Sequence, residues 1–85
     1  MTITVELSYY PLHESYEKQV LAFIDTLQNH PDIKVKTNGM STMIQGPYST
    51  LFALLENGMK PIMAEDQTNV FVAKFLNKEA FDYVH

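Results

Sequence analysis

The chain contains 85 residues, 46% of them hydrophobic, has no cysteine and carries a formal net charge of −4. The absence of cysteine excludes disulfides, thiolate metal sites, iron–sulfur clusters and cysteine nucleophiles. All six basic residues are lysines, and an acidic domain without arginine has little with which to hold phosphates or read guanine, as nucleic-acid-binding domains do.

The first third of the sequence predicts a strand followed by a helix. Residues 2–10 alternate between two sets of side chains, which is the period-two pattern of a half-buried strand. Ser15 is a suitable N-cap, and apolar residues then recur at helical spacing to about residue 28. The helix is expected to end at Asn29-His30-Pro31.

The middle of the sequence predicts a β-hairpin. Residues 33–38 and 40–46 are the two strands, and Asn38-Gly39 between them is a dipeptide that favours tight turns. Gly46-Pro47 is expected to end the second strand of the hairpin.

The last third predicts a second helix and a final strand. Residues 49–57 carry apolar side chains at helical spacing, with Gly58 as a plausible C-cap. Residues 59–68 fit either a loop or a short helix. Residues 69–76 are dense in Val and Phe and predict a strand.

The resulting order, strand–helix–strand–strand–helix–strand, repeats a split βαβ unit. This pattern predicts an α+β ferredoxin-like sandwich, formed as a single domain over residues 1–85. Its antiparallel sheet has the order 4-1-3-2, with two helices on one face and the other face open.

Polar and aromatic side chains are expected to gather at one end of this sheet. The first two strands end there, and the third and fourth begin there. The residues placed at this end are Ser8, Tyr9, Tyr10, Asn38, Met40, Ser41, Thr42, Asn69 and Phe71. Glu6 lies one step further along the first strand, and Lys74 lies on the neighbouring fourth strand.

Three short motifs at these positions resemble one known family. Residues 38–46 are similar to a hairpin pattern N-x-M-S-T-x-x-x-G, and residues 5–12 to an opening pattern x-E-x-S-x-Y-P-L. Residues 70–74 resemble a last strand that commonly carries a lysine. Together they resemble the YkoF-like family of thiamine- and hydroxymethylpyrimidine-binding proteins, over Ile3 to Leu76.

The resemblance implies a ferredoxin-like domain that binds thiamine or its hydroxymethylpyrimidine moiety non-covalently, without catalysis, and buffers or delivers the vitamer. The family's named member has two such domains in tandem, whereas this chain has one. The resemblance therefore implies a homodimer or a dimer of dimers. A neighbouring single-domain family with a Met-Gly-Thr hairpin is thought to form tetramers, which keeps a homotetramer open as well.

The side chains at this end of the sheet suit the chemistry of thiamine. Asn38, Ser41 and Thr42 can hydrogen-bond the aminopyrimidine, aromatic side chains can stack on it, and Met40 can pack against a flat ring. Glu6 can offset the thiazolium charge. The predicted ligand-binding residues are Glu6, Ser8, Tyr10, Asn38, Met40, Ser41, Thr42 and Phe71.

Each of these residues also has a purely structural interpretation. Asn38 suits a hairpin turn, Tyr9 suits the core, and Glu6 with Lys74 would form an ordinary cross-strand pair. The sequence does not distinguish a ligand on the open face from one at the helix side, nor thiamine from its phosphates. The alternative function is a self-assembling domain whose sheet face serves oligomerisation only.

Enzymatic and metal-binding functions are not expected. No nucleophile–base pair and no phosphate-binding glycine loop is apparent, although an enzyme with Glu6 as base is a minor third hypothesis. The three histidines, His13, His30 and His85, are too far apart for paired metal ligands, so no metal or cofactor is predicted.

The partner is expected to be a second copy of the chain. Charged residues make up 19% of the sequence, below the roughly 25% usual in soluble domains, which suggests that part of the surface is covered. The open-face candidates are Thr4, Glu6, Ser8, Met43, Val70, Val72 and Lys74. Phe81 and Tyr83 are candidate docking points in the tail. A cytoplasmic location is expected, because the N-terminus has no basic region or cleavage site and no stretch near 20 residues is apolar.

Overall fold

The computed structural model describes residues 1–11, 17–39, 41–65 and 68–81. The elements in chain order are β1 (Thr2–Pro11), α1 (Glu17–Gln28), β2 (Lys34–Thr37), β3 (Thr42–Pro47), α2 (Tyr48–Met63) and β4 (Asn69–Leu76). The strands form one antiparallel sheet in the order β2-β3-β1-β4, which is the predicted order numbered from the opposite edge. The ferredoxin-like α+β prediction is therefore confirmed.

The alternation along β1 divides the sheet into two faces. Ile3, Val5 and Leu7 are buried and belong to the core that packs against both helices. The residues between them point to the other side, and β1 is paired on both edges, with β3 and with β4. We call that second side the open face; its residues are Thr4, Glu6, Ser8 and Tyr10 of β1 and the side chains paired with them on β3 and β4.

Helix α2 is longer than predicted. Gly58 does not end it, because the apolar stripe of Leu51 and Leu55 continues to the buried Ile62 and keeps the chain helical to Met63. A Cβ at Gly58 would lie 2.1 Å from Cδ1 of Phe23 on α1. The glycine therefore permits close helix–helix contact and is not a C-cap.

The hairpin and the last strand agree with the sequence patterns. The Asn38 N–H donates to the Ser41 carbonyl at 3.0 Å, and β2 and β3 pair from Thr37 and Thr42 onwards. Strand β4 has the predicted bounds. Ser15 and Tyr83, expected as an N-cap and a docking point, lie outside the described residues.

The chain after β4 crosses the open face. The Phe81 N–H donates to Oε1 of Gln45, and the Phe81 ring lies below the ammonium groups of Lys34 and Lys36. Phe81 therefore docks, as predicted for this part of the tail. In the described part of the chain, no helix has the length and apolar character needed to cross a membrane.

Candidate functional site

A cavity of about 390 Å³ opens between α1 and the helix-facing side of the sheet. We call it the α1 cavity. It lies at the end of the sheet where β1 and β2 finish and β3 and β4 begin, the end where the sequence placed the site. Its apolar walls are Leu7, Val20, Phe23, Ile24 and Leu27. A pocket of this size with apolar walls is typical of small-molecule sites.

Two stacked aromatic rings form one side of the α1 cavity. The Tyr9 and Phe71 centroids are 4.8 Å apart and the ring planes are inclined by 29°. The Tyr9 hydroxyl donates to Oδ1 of Asn69, and Nδ2 of Asn69 donates to the Ile62 carbonyl at 3.1 Å. These hydrogen bonds hold the Tyr9 ring in place, and Phe71 stacks on it.

Polar groups of the described residues gather at the rim of the α1 cavity. They come from Thr37, Asn38, Gly39, Ser41 and Thr42 at the β2–β3 hairpin. The Thr37 and Thr42 side chains share the helix-facing side because these two residues are directly paired across the strands. They bring hydroxyls to a face that is otherwise apolar.

The Thr42 hydroxyl is the buried polar group of this rim. Thr42 is only 9% exposed, and among the described residues its hydroxyl has no hydrogen-bond partner. A buried hydroxyl without a partner costs free energy of about 1–3 kcal/mol. A ligand or water in the cavity would remove that cost.

Asn38 has the structural role that the sequence left open. Its Oδ1 accepts from the Ser41 N–H at 2.9 Å, while its own N–H donates to the Ser41 carbonyl. The two bonds close the hairpin turn and hold Ser41 at the cavity rim.

The other predicted site residues lie elsewhere. Glu6, Ser8 and Tyr10 are on the open face, because they alternate with the cavity-lining Leu7 and Tyr9 along β1. Thus Asn38, Ser41, Thr42 and Phe71 are brought together at the α1 cavity, and the three β1 residues are not. Met40 lies outside the described residues.

Glu6 still connects to the cavity rim through one contact. The Ser41 Oγ donates to Oε2 of Glu6 at 3.3 Å, and Lys74 Nζ lies 3.6 Å from Oε1 of the same carboxylate. The cross-strand Glu6–Lys74 pair, one of the two interpretations that the sequence allowed, is present. Among the described residues, those that line the α1 cavity carry no charge.

Sequence reasoning missed the apolar walls. Val20, Phe23 and Leu27 follow helical spacing, which predicts an apolar helix face. Nothing in that spacing reveals that the helix leaves a gap above the sheet. One usable signal was present: Thr37 and Thr42 place hydroxyls on positions that should otherwise be apolar if the helix packed fully over them.

Comparisons with known proteins find structures of similar fold. No protein-family model and no curated protein matches the sequence. A hypothetical protein from Methanocaldococcus jannascii is similar in structure, with 21% identity and a TM-score of 0.73, over 92% of this chain and 81% of that one.

Two further solved structures are similar. A Thermotoga maritima protein, provisionally described as a thiamine biosynthesis/salvage protein, has 12% identity and a TM-score of 0.72, over 92% of this chain and 85% of its own. A domain of unknown function from Bacillus cereus has 15% identity and a TM-score of 0.69, over 91% and 76%. At these identities the likeness is one of fold.

Proposed function

We propose that this protein binds thiamine or its hydroxymethylpyrimidine moiety in the α1 cavity, without catalysis, and buffers or delivers the vitamer. The observation that carries the proposal is a buried hydroxyl, Thr42, beside an aromatic wall in a cavity whose other walls are apolar and whose rim is polar. An aminopyrimidine has a flat face for such a wall and hydrogen-bonding groups at its edge for such a hydroxyl.

The motif resemblance supports the same ligand. Asn38, Ser41 and Thr42 belong to the hairpin motif, and all three lie at the α1 cavity. The Thermotoga maritima fold neighbour, with its provisional description in thiamine biosynthesis or salvage, is a second and independent support.

The charges around the cavity favour the uncharged pyrimidine over phosphorylated forms. The lining residues that the structure describes include no cation, so these residues offer a diphosphate no charged partner in return for its lost hydration. The rim contacts the Glu6 carboxylate through Ser41, which would place the thiazolium of thiamine at the mouth. We expect hydroxymethylpyrimidine and thiamine to bind more tightly than thiamine diphosphate.

Calorimetric titration of the three ligands tests the proposal. Saturable binding of the pyrimidine or thiamine is the expected result. Thr42→Val keeps the side-chain shape and removes the hydroxyl, so the affinity should fall by roughly fivefold, the worth of one hydrogen bond of about 1 kcal/mol. Thr2→Val, the same change at the far end of β1, is the matched control and should leave the affinity unchanged. Absence of heat and of any melting-temperature shift with all three ligands would remove the proposal.

We further propose that the protein is a homo-oligomer that assembles through the open face. The exposed apolar side chains on that face support it: Tyr10, Val70, Val72 and Leu76. If assembly is found and no vitamer binds, the alternative function, a self-assembling domain without this ligand, replaces the first. Light scattering and calorimetry on the same sample separate the two.

A further inference from the structure

We propose that the C-terminal segment Lys78–Phe81 occupies one half of the open face and leaves the other half, over β1 and β4, for a second copy of the chain. The two copies exchange the partners of the Glu6–Lys74 ion pair across a two-fold axis. This inference rests on the assembly proposed above and specifies its surface and register.

The C-terminal segment is held by two polar side chains beneath it. Thr4 is 2% exposed and Gln45 is 6% exposed, although both lie on the face without helices. The Thr4 hydroxyl accepts from the Ala80 N–H at 2.9 Å and donates to the Lys78 carbonyl at 2.8 Å. Two side chains of neighbouring strands thus satisfy the backbone of one crossing segment.

The ring of Phe81 closes the β2 side of this half. Lys36 Nζ lies 4.8 Å and Lys34 Nζ 6.0 Å from the ring centroid, within the range of a cation–π interaction. The contact places a segment of the same chain against the lysines of the edge strand β2, which themselves stay exposed. That half of the open face is therefore occupied within the monomer.

The half over β1 and β4 has no such cover from the described residues. Val70, Val72 and Leu76 are each 38–46% exposed on β4, and Tyr10 is exposed on β1. A contiguous set of exposed apolar side chains around a charged pair is typical of an interaction surface.

The register of β1 and β4 makes this half complementary to itself. Glu6 is directly opposite Lys74, and the pairs on either side combine a β1 residue with an apolar β4 residue. A two-fold axis running along the strands, midway between β1 and β4, brings each β1 residue over its β4 partner of the second copy. Glu6 then meets Lys74 of the second copy, and the four charges alternate in sign.

Two charge reversals measured separately and together test this arrangement. Glu6→Lys gives a chain with two positive charges at the centre, and Lys74→Glu gives a chain with two negative charges. Each variant alone should self-associate roughly tenfold or more weakly than the unchanged chain, because like charges meet across the interface. An equimolar mixture should recover dimers in sedimentation or light scattering.

The mixture distinguishes charge contacts across the interface from the Glu6–Lys74 pair within one chain. Neither variant can rebuild its own intrachain pair, so recovery in the mixture requires the charges of two chains to meet. Circular dichroism and the melting transition confirm that each variant is folded. A mixture that stays as dissociated as the folded variants, or an unchanged chain that is monomeric at high concentration, would overturn the inference.

Phe81→Ala tests the covered half in the full-length chain. Uncovering β2 and β3 should produce species larger than those of the unchanged chain, whereas Phe75→Ala, on the helix-facing side of β4, should not. Identical masses for the unchanged chain and Phe81→Ala would contradict the covering role. Ligand calorimetry on the same samples reports on the α1 cavity alone, so failure of this inference is distinguishable from failure of the binding proposal.

Discussion

The helix-facing side of the sheet is buried mainly by apolar packing, whereas the open face buries polar side chains beside the apolar Met43. On the helix-facing side Val5, Ile44 and Leu51 are completely inaccessible, and their burial comes from apolar packing. On the open face Thr4 and Gln45 are nearly as buried, but by hydrogen bonds to the backbone of the C-terminal segment. Apolar burial is non-directional, whereas polar burial requires a particular segment in a particular position.

The helix-facing side itself has two unequal ends. Around Val5, Ile44 and Leu51 the layers are closely packed, while around Thr42 and Phe71 they leave the α1 cavity. If the proposed function is correct, stability is concentrated at one end and the ligand site lies at the other. Substitutions at the packed end should affect folding, and substitutions at the cavity end should affect binding.

The largest expected effect is at the packed end. Leu51→Ala removes a completely buried side chain and should lower the free energy of unfolding by about 2–5 kcal/mol, measured by urea denaturation. Phe52→Ala, the neighbouring position with a 39% exposed ring, is the control and should cost clearly less. Equal losses at both positions would mean that the packed end does not carry the stability.

A smaller effect is expected beneath the C-terminal segment. Thr4→Val removes the hydroxyl that accepts from the Ala80 N–H and donates to the Lys78 carbonyl. The free energy of unfolding should fall by about 2 kcal/mol, at roughly 1 kcal/mol for each hydrogen bond. Amide hydrogen exchange at Ala80 should accelerate in the same variant.

The control for this change is Thr2→Val, the same substitution two residues earlier on β1. It should leave both the stability and the exchange at Ala80 close to those of the unchanged chain. Slow exchange at Ala80 in Thr4→Val would show that the segment does not depend on this hydroxyl.

The smallest effect is expected at the aromatic wall of the α1 cavity. Tyr9→Phe removes the hydroxyl that donates to Asn69 and should lower the stability by about 1 kcal/mol, because the ring itself remains stacked on Phe71. Thermal denaturation measures the loss. A change as large as that of Leu51→Ala would show that the wall is part of the stabilising core.

The fold was predictable because its signals are local. The alternation in β1, the Asn38-Gly39 turn and the Val/Phe-rich β4 each specify an element without reference to the rest of the chain. The end of α2 was predicted wrongly. Gly58 makes room for the ring of Phe23 on the other helix, and it does not end the helix.

The sequence predicted at which end of the sheet the candidate site lies, but not on which face. Alternation already separated Ser8 and Tyr10 from Tyr9, yet all three were grouped by their position along the strand. The gap below α1 and the path of the C-terminal segment depend on contacts across the chain. The Ala80–Thr4 hydrogen bond spans 76 positions, and no local pattern encodes it.

Methyl-resolved NMR during titration with hydroxymethylpyrimidine tests the central claim most directly, because methyl groups report on one face at a time. Binding in the α1 cavity predicts saturable shifts at Val20, Ile24 and Leu27, with Val70 and Val72 on the open face unchanged. Shifts confined to Val70 and Val72, or no shifts at any of the five, would contradict it.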